Sequence, residues 1–183
     1  MAKKLIDIVE REFADEVLDS HSERGQDTVT VKRERLPEIV KYLRDDDSTQ
    51  MDFLRLVTCV DYLRRQPRFE VVYVMYSTSK KHMLTVRVPV DEDDCSVPSI
   101  HELYGCAGWF EREVWDFYGI QFDGHPDLRR VLNYEEFEGH PLRKDYPKQK
   151  GQPRIELLDR ERDSVEEFEQ FVKKKPSAGS RDI

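Results

Sequence analysis

A chain of 183 residues with 30 Lys plus Arg against 38 Asp plus Glu carries a formal charge of −8 at pH 7, which argues against nucleic acid or an anionic membrane as its principal partner. Charged residues make up 37% and hydrophobic ones 38%, polar for a globular chain, yet 10% aromatic residues support one ordinary core and argue against wholesale disorder. No apolar run approaches the roughly 18 residues of a membrane span, and Cys59, Cys95 and Cys106 are spaced too widely for a zinc knuckle or an iron–sulfur ligand set, so they read as free thiols.

The opening MAKKLIDIVEREF is acidic by position 7 and has the pattern of neither a secretory signal nor a mitochondrial presequence. Leu5, Ile8, Val9, Phe13, Val17 and Leu18 recur at helical spacing and predict an amphipathic first helix ending before Gly25. Residues 27–33 alternate as a short strand. Pro37 sits where a first helical turn accepts proline, and Leu36, Ile39, Val40 and Leu43 form the stripe of a second helix that ends in the solvated run Asp45 to Ser48. Residues 53–62 read as a strand, although a buried helix fits them equally. Residues 69–77 and 83–90, rich in β-branched and aromatic side chains, predict an antiparallel hairpin around the polar segment Thr78 to His82. In its second arm Leu84, Val86, Val88 and Val90 share one face while Thr85 and Arg87 share the other. The pattern as a whole predicts an α+β fold, two layers with helices on a mostly antiparallel mixed sheet. No Gly-rich strand-to-helix turn is present, hence no dinucleotide fingerprint or P-loop.

Ser99 follows Pro98, and Glu102 stands three residues on, the pattern of a capping box. Leu103, Ala107, Phe110, Val114 and Phe117 then keep helical spacing, with Gly105 and Gly108 weakening the middle and Gly119 fitting a left-handed C-cap. Beyond it periodicity stops. The expected organisation is an α+β core domain over 1–119, an extended strap over 120–158, and a charged short helix with a disordered tail over 159–183.

The strap holds two matching triplets, Gly124-His125-Pro126 and Gly139-His140-Pro141, each followed closely by Leu and Arg. Three readings compete: a metal site, a catalytic loop, or a rigid strap that docks. A metal needs at least three convergent ligands, and although Asp123, Asp127 and Asp145 lie near His125 and His140, no HxH or HxxxH spacing occurs. No nucleophile elbow or Cys/His frame appears. Anchoring fits the residue types better. Glycine permits a bend, histidine hydrogen-bonds on both sides, and proline sets the direction that follows. The pairs Arg129-Arg130 and Arg143-Lys144 can then clamp carboxylates. In the helix before the strap, Glu111 and Glu113 point in opposite directions and share no site. Arg112 and Asp116 are spaced to pair along an exposed face.

Residues 111–120 (EREVWDFYGI), 124–132 (GHPDLRRVL) and 139–147 (GHPLRKDYP) closely resemble the signature of the thirty-kilodalton subunit family of proton-pumping NADH:quinone oxidoreductase, respiratory complex I. The likeness is dense from Val97 to Pro147 and extends to residues 53–63 and 69–90. It implies a structural subunit of the peripheral arm, on the cytoplasmic side of the bacterial cell membrane and membrane-associated only through the complex. Such a subunit has no active site, metal or cofactor of its own; FMN and iron–sulfur clusters belong to partner subunits. The strap would dock the subunit that forms the quinone pocket and the cluster-bearing neighbours. On this likeness the partner-interface residues are Glu111, Arg112, Glu113, Asp116, His125, Arg129, Arg130, His140, Arg143 and Asp145. After Pro147 the chain departs from the family pattern. Related subunits of membrane-bound hydrogenases and of quinone oxidoreductases that do not use NADH share the signature. A freestanding metal-dependent enzyme and an adaptor outside respiration stand as the readings from other classes.

Overall fold

The computed structural model describes residues 4–153, so the expected C-terminal helix and tail, with the last residues of the strap, lie outside the described residues. Helix α1 (Lys4–Glu12) buries Leu5, Ile6, Ile8 and Val9 and stops nearly two turns short of Leu18, the last residue of the apolar spacing. Val17 and Leu18 belong instead to strand β1 (Val17–Glu23), where Leu18 is exposed. The reason is the turn that follows. Arg24 (φ 52) and Gly25 (φ 79) are both left-handed, the two-residue geometry that matches strand twist, and they fold β1 antiparallel onto β2 (Gln26–Val31).

Helix α2 (Leu36–Asp45) carries Pro37 in its first turn and buries the expected Leu36, Ile39, Val40 and Leu43. Residues 53–62 resolve as a strand, β3 (Phe53–Asp61), paired antiparallel along β4 (Phe69–Tyr76) with an irregularity between Leu54 and Leu56. Strand β5 (Met83–Val90) pairs antiparallel with β4 and parallel with β2, giving the order β1-β2-β5-β4-β3. The β5 face formed by Leu84, Val86, Val88 and Val90 is in the core, together with Val71, Tyr73 and Met75 of β4. Burying each such aliphatic side chain contributes about 1.5–3 kcal/mol, so this layer dominates the stability.

The capping box at Ser99 does not form. Strand β6 (Ser96–Pro98) pairs parallel with β7 (Gln121–Asp123), and the Ser99 amide continues the pairing to the Asp123 carbonyl at 2.9 Å. Residues 100–106 make turns, and α3 (Ala107–Tyr118) begins only after Gly105. Gly119 closes α3 in the left-handed conformation (φ 75), its amide donating to the Trp115 carbonyl at 2.8 Å. From Gly124 to Gly151 the chain forms no helix or strand.

Candidate functional site: a strap fastened to one helix

Helix α3 carries two carboxylates that are both 0% exposed, Glu111 and Asp116. Glu111 faces inward. Its Oε1 accepts the Ile100 amide at 2.8 Å and its Oε2 accepts the Ser99 hydroxyl at 2.5 Å, while that hydroxyl lies 3.1 Å from His101 Nδ1. Burial holds the Glu111 carboxyl above its ordinary value, and these two donors only moderate the effect. The exposed charged face expected here is therefore wrong for Glu111. Ser99, expected as a helix cap, is the partner that satisfies it.

Asp116 faces the strap and is the more heavily bonded of the two. Its Oδ2 accepts three successive backbone amides, Val131 at 3.2 Å, Leu132 at 3.0 Å and Asn133 at 2.9 Å. Its Oδ1 accepts Arg130 Nη1 at 2.6 Å and Asn133 Nδ2 at 3.0 Å. Burial alone would raise this carboxyl, but the convergent donors outweigh it and hold the group at about 2. Arg130 also donates to the carbonyls of Asp116 (3.2 Å), Phe137 (2.7 Å) and Gly139 (3.0 Å), and lies over the rings of Trp115 and Phe137. The expected surface pair between Arg112 and Asp116 is thus replaced. Arg112 donates to the carbonyls of Arg129 at 3.1 Å and Arg130 at 2.9 Å and stacks on Trp109.

The two Gly-His-Pro triplets fix opposite ends of this helix. Gly124 (φ 83) and Gly139 (φ 90) both make left-handed bends. His125 Nε2 donates to the carbonyl of Gly108, near the start of α3, at 3.1 Å, and its Nδ1 accepts the Asp127 amide. His140 Nδ1 donates to the carbonyl of Asp116, near the end, at 3.0 Å. Burial, and then the neighbouring Arg143 and Arg130, keep His140 below its ordinary value despite that bond. At His140 a neutral imidazole supplies the one donor that the Asp116 carbonyl needs.

Beyond α3 the strap returns to the sheet. The Leu142 amide bonds the Phe117 carbonyl at 3.1 Å, and Arg143 Nε bonds the Tyr118 carbonyl at 2.5 Å with its guanidinium over Phe69. Asp145 takes Arg68 at 2.7 and 3.2 Å. Arg68, 5% exposed, also holds Asp61 through two bonds of 3.0 and 2.9 Å and contacts Glu92. The Lys144 amide adds a bond to Asp61 at 2.7 Å. Asp61 and Arg68 were missed in the sequence. Their signal was a carboxylate ending an apolar strand and an arginine opening the next.

Of the residues expected at a partner interface, Glu111, Arg112, Asp116, His125, Arg130, His140, Arg143 and Asp145 bond within the chain as described. Among the described residues Arg129 pairs with the exposed Asp127 alone, at 2.8 Å, and Glu113 is half-buried. Apolar side chains of α3 and the strap remain in solvent, Trp109 of the helix and Leu132 of the strap at 62% and Leu142 at 47%. Among the described residues no group of three or more His, Cys, Asp or Glu side chains could hold a metal ion, and no helix is long and apolar enough to cross a membrane.

These features define an α+β domain whose strap is sewn to helix α3 by buried charges, with each Gly-His-Pro triplet spent on one end of that helix. The family model of the respiratory-chain NADH dehydrogenase 30 kDa subunit matches residues 29–152, and the chain belongs to that family. It is 48% identical over 137 residues to the C subunit of NADH-quinone oxidoreductase from Citrifermentans bemidjiense, covering 75% of this chain and 84% of the relative. Over 133 residues it is 47% identical to the corresponding subunit of Roseiflexus castenholzii, 73% of this chain and 76% of the relative. Among solved structures, a trypsin-resistant fragment (1–134) of Nqo5 superposes with a TM-score of 0.60 at 33% identity, covering 70% of this chain and all of the fragment. A chain of the membrane-bound sulfane sulfur reductase, an archaeal respiratory membrane complex, matches at TM-score 0.67 over 99% of this chain and 98% of its own, and at 16% identity shows a shared fold alone.

Proposed function

We infer that the chain is a structural subunit of the peripheral arm of NADH-quinone oxidoreductase, and that its fastened strap presents the docking surface for the subunit forming the quinone pocket and for cluster-bearing neighbours. FMN and iron–sulfur clusters reside in those partners, this chain supplies no reacting group, and the assembly lies on the cytoplasmic face of the membrane. One observation carries the reading. Arg112, Asp116, Arg130, Arg143 and Asp145 are spent on fixing the strap, while Trp109, Leu132 and Leu142 stay in solvent. A tryptophan held beside an ordered arginine, as Trp109 is by Arg112, is the kind of residue that anchors interfaces.

The test separates scaffold from catalyst. Trp109→Ala with Leu132→Ser should lower the quantity of assembled complex on native gels, while NADH:quinone turnover per assembled complex stays near normal. Arg143→Ala should act in the same direction by loosening the strap from Tyr118. Full assembly with turnover down by orders of magnitude would place these residues in the reaction and defeat the scaffold reading.

A further inference from the structure

At the end of the sheet bearing the β1–β2 and β4–β5 turns, a cleft of about 700 Å3 opens, lined by Leu5 and Ile8 of α1 and by Tyr76 and Met83 of the hairpin. Its charged lining is Arg55, Lys80 and Lys81 with His82, and Asp27 is the carboxylate among them. Among the described residues none of Arg55, Lys80 and Lys81 has a carboxylate within salt-bridge distance. The Arg55 guanidinium rests against the Met83 sulfur at 3.7 Å, and Asp27 is held by the Ser22 hydroxyl at 2.6 Å. Three cations against one carboxylate leave a formal excess of two positive charges, in a chain whose net charge is −8.

The loop that carries the lysines is pinned. A hairpin tip is ordinarily among the most mobile parts of a sheet. Here the Ser77 amide bonds the His82 carbonyl at 3.0 Å, the Lys81 amide bonds the Ser77 carbonyl at 2.9 Å, and the Lys80 amide bonds Ser77 Oγ at 3.2 Å. Three further bonds tie the tip to residues 49–52. They run from the Thr78 amide to Asp52 (2.8 Å), from Ser79 Oγ to Gln50 (2.8 Å), and from His82 Nε2 to the Thr49 carbonyl (2.7 Å). Adjacent ammonium groups repel, so a loop whose backbone is already fixed, with both lysines lining the cleft alongside Arg55, lowers the ordering cost of an anion that neutralises them.

We propose that this cleft binds a phosphate ester that also carries a hydroxyl group. Lys80, Lys81 and Arg55 engage the phosphate oxygens, whose two negative charges match the local excess, and the guanidinium fork suits them. Asp27, an acceptor when ionised, takes the hydroxyl. Glycerol 1-phosphate, a monoester, holds both groups and both charges; the headgroup of phosphatidylglycerol, a diester, presents the same phosphate and hydroxyl with a single charge, and the experiment distinguishes the sources.

The full chain is titrated with glycerol 1-phosphate by amide NMR, and in parallel co-sedimented with phosphatidylglycerol or phosphatidylcholine vesicles. Saturable shifts at Gly25, Ser48, Lys80 and Lys81 are expected, with affinity reduced about tenfold or more in Lys80→Ala/Lys81→Ala. Asp27→Asn should weaken glycerol 1-phosphate but not inorganic phosphate. Response to the free ester alone supports a soluble ligand, and response to phosphatidylglycerol vesicles, with or without it, supports a lipid source. Both lysines are exposed, so the double variant keeps its fold, checked by unchanged shifts elsewhere. No saturable response to either probe overturns the proposal. So does equal binding by the double variant, or equal loss in Arg64→Ala/Arg65→Ala at the opposite end of the sheet, which would mean diffuse attraction.

Discussion

Asp116 and Glu111 are carboxylates of one helix with no exposure, and their surroundings make them respond to acid in opposite senses. Asp116 titrates at about 2 when folded, below the ordinary value near ~3.9, so its stabilisation is complete above about pH 4 and is lost as pH falls toward 2. That shift corresponds to about 2–3 kcal/mol, and the melting temperature of Asp116→Asn should fall less steeply across this window than that of the parent. At neutral pH, Asp116→Ala should cost about 3–5 kcal/mol, because Arg130 is left buried without its partner, measured by urea unfolding. Glu111 runs the other way. Its folded value is raised, so the unfolded chain ionises first and stability declines as pH climbs through the glutamate range toward that raised value. Glu111→Gln keeps an acceptor for the Ile100 amide and removes this decline, so the variant should match or exceed the parent at pH 7. Glu111→Ala should lose about 1–3 kcal/mol by orphaning that amide.

Among the elements, α2, β4, β5 and the Gly119 cap were legible because each depends on residues at most a few positions apart. Strand β1 was not. Leu18 continued a helical stripe, and the polar sequence from Asp19 to Ser22 has no alternation to announce a strand; pairing with β2 decides it. The capping box failed for a similar reason, since Ser99 finds a better partner twelve residues on, in Glu111. The junction of α3 and strap permits a sharp comparison. A Cβ at Gly119 would stand 2.6 Å from His140 Cδ2 and Nε2 and 2.9 Å from Arg143 Nη2, whereas at Gly25, also left-handed, it meets open space. Gly25→Ala should therefore lose only the roughly 1–2 kcal/mol of a left-handed L-residue, and Gly119→Ala distinctly more, by urea unfolding. In hydrogen exchange on the free chain, the amides of Val131, Leu132 and Asn133 should be protected by Asp116 while those of the exposed Glu135 and Glu136 exchange fast. Equal, rapid exchange along the whole strap would mean that Asp116 does not hold it in solution.

For the whole molecule, the sequence showed that the Gly-His-Pro loops anchor something, and it did not show that the anchor point is the chain's own helix. Nor could it show Asp61, Arg68 and Asp145 as one cluster, because Arg68 reaches Asp145 across 77 positions. Local pattern carries no record of such distances. Thiol labelling gives a global check on the fold. Cys106 is exposed, Cys95 half-buried, and Cys59 buried with its thiol pushed up to about 12 by that burial, so maleimide should react in that order, with Cys59 last. Early labelling of Cys59 would contradict the placement of β3 in the core. The stitching of α3 by later residues also bears on how the chain is made. On the ribosome the Tyr118 carbonyl emerges 25 residues before Arg143, and Asp116 emerges 15 to 17 residues before the amides that surround it. The sheet can close while synthesis continues, but the C-terminal turn of α3 must wait, its carbonyls and a bare aspartate facing water until the strap arrives. Translation pace over residues 120–146 thus sets when this domain becomes complete.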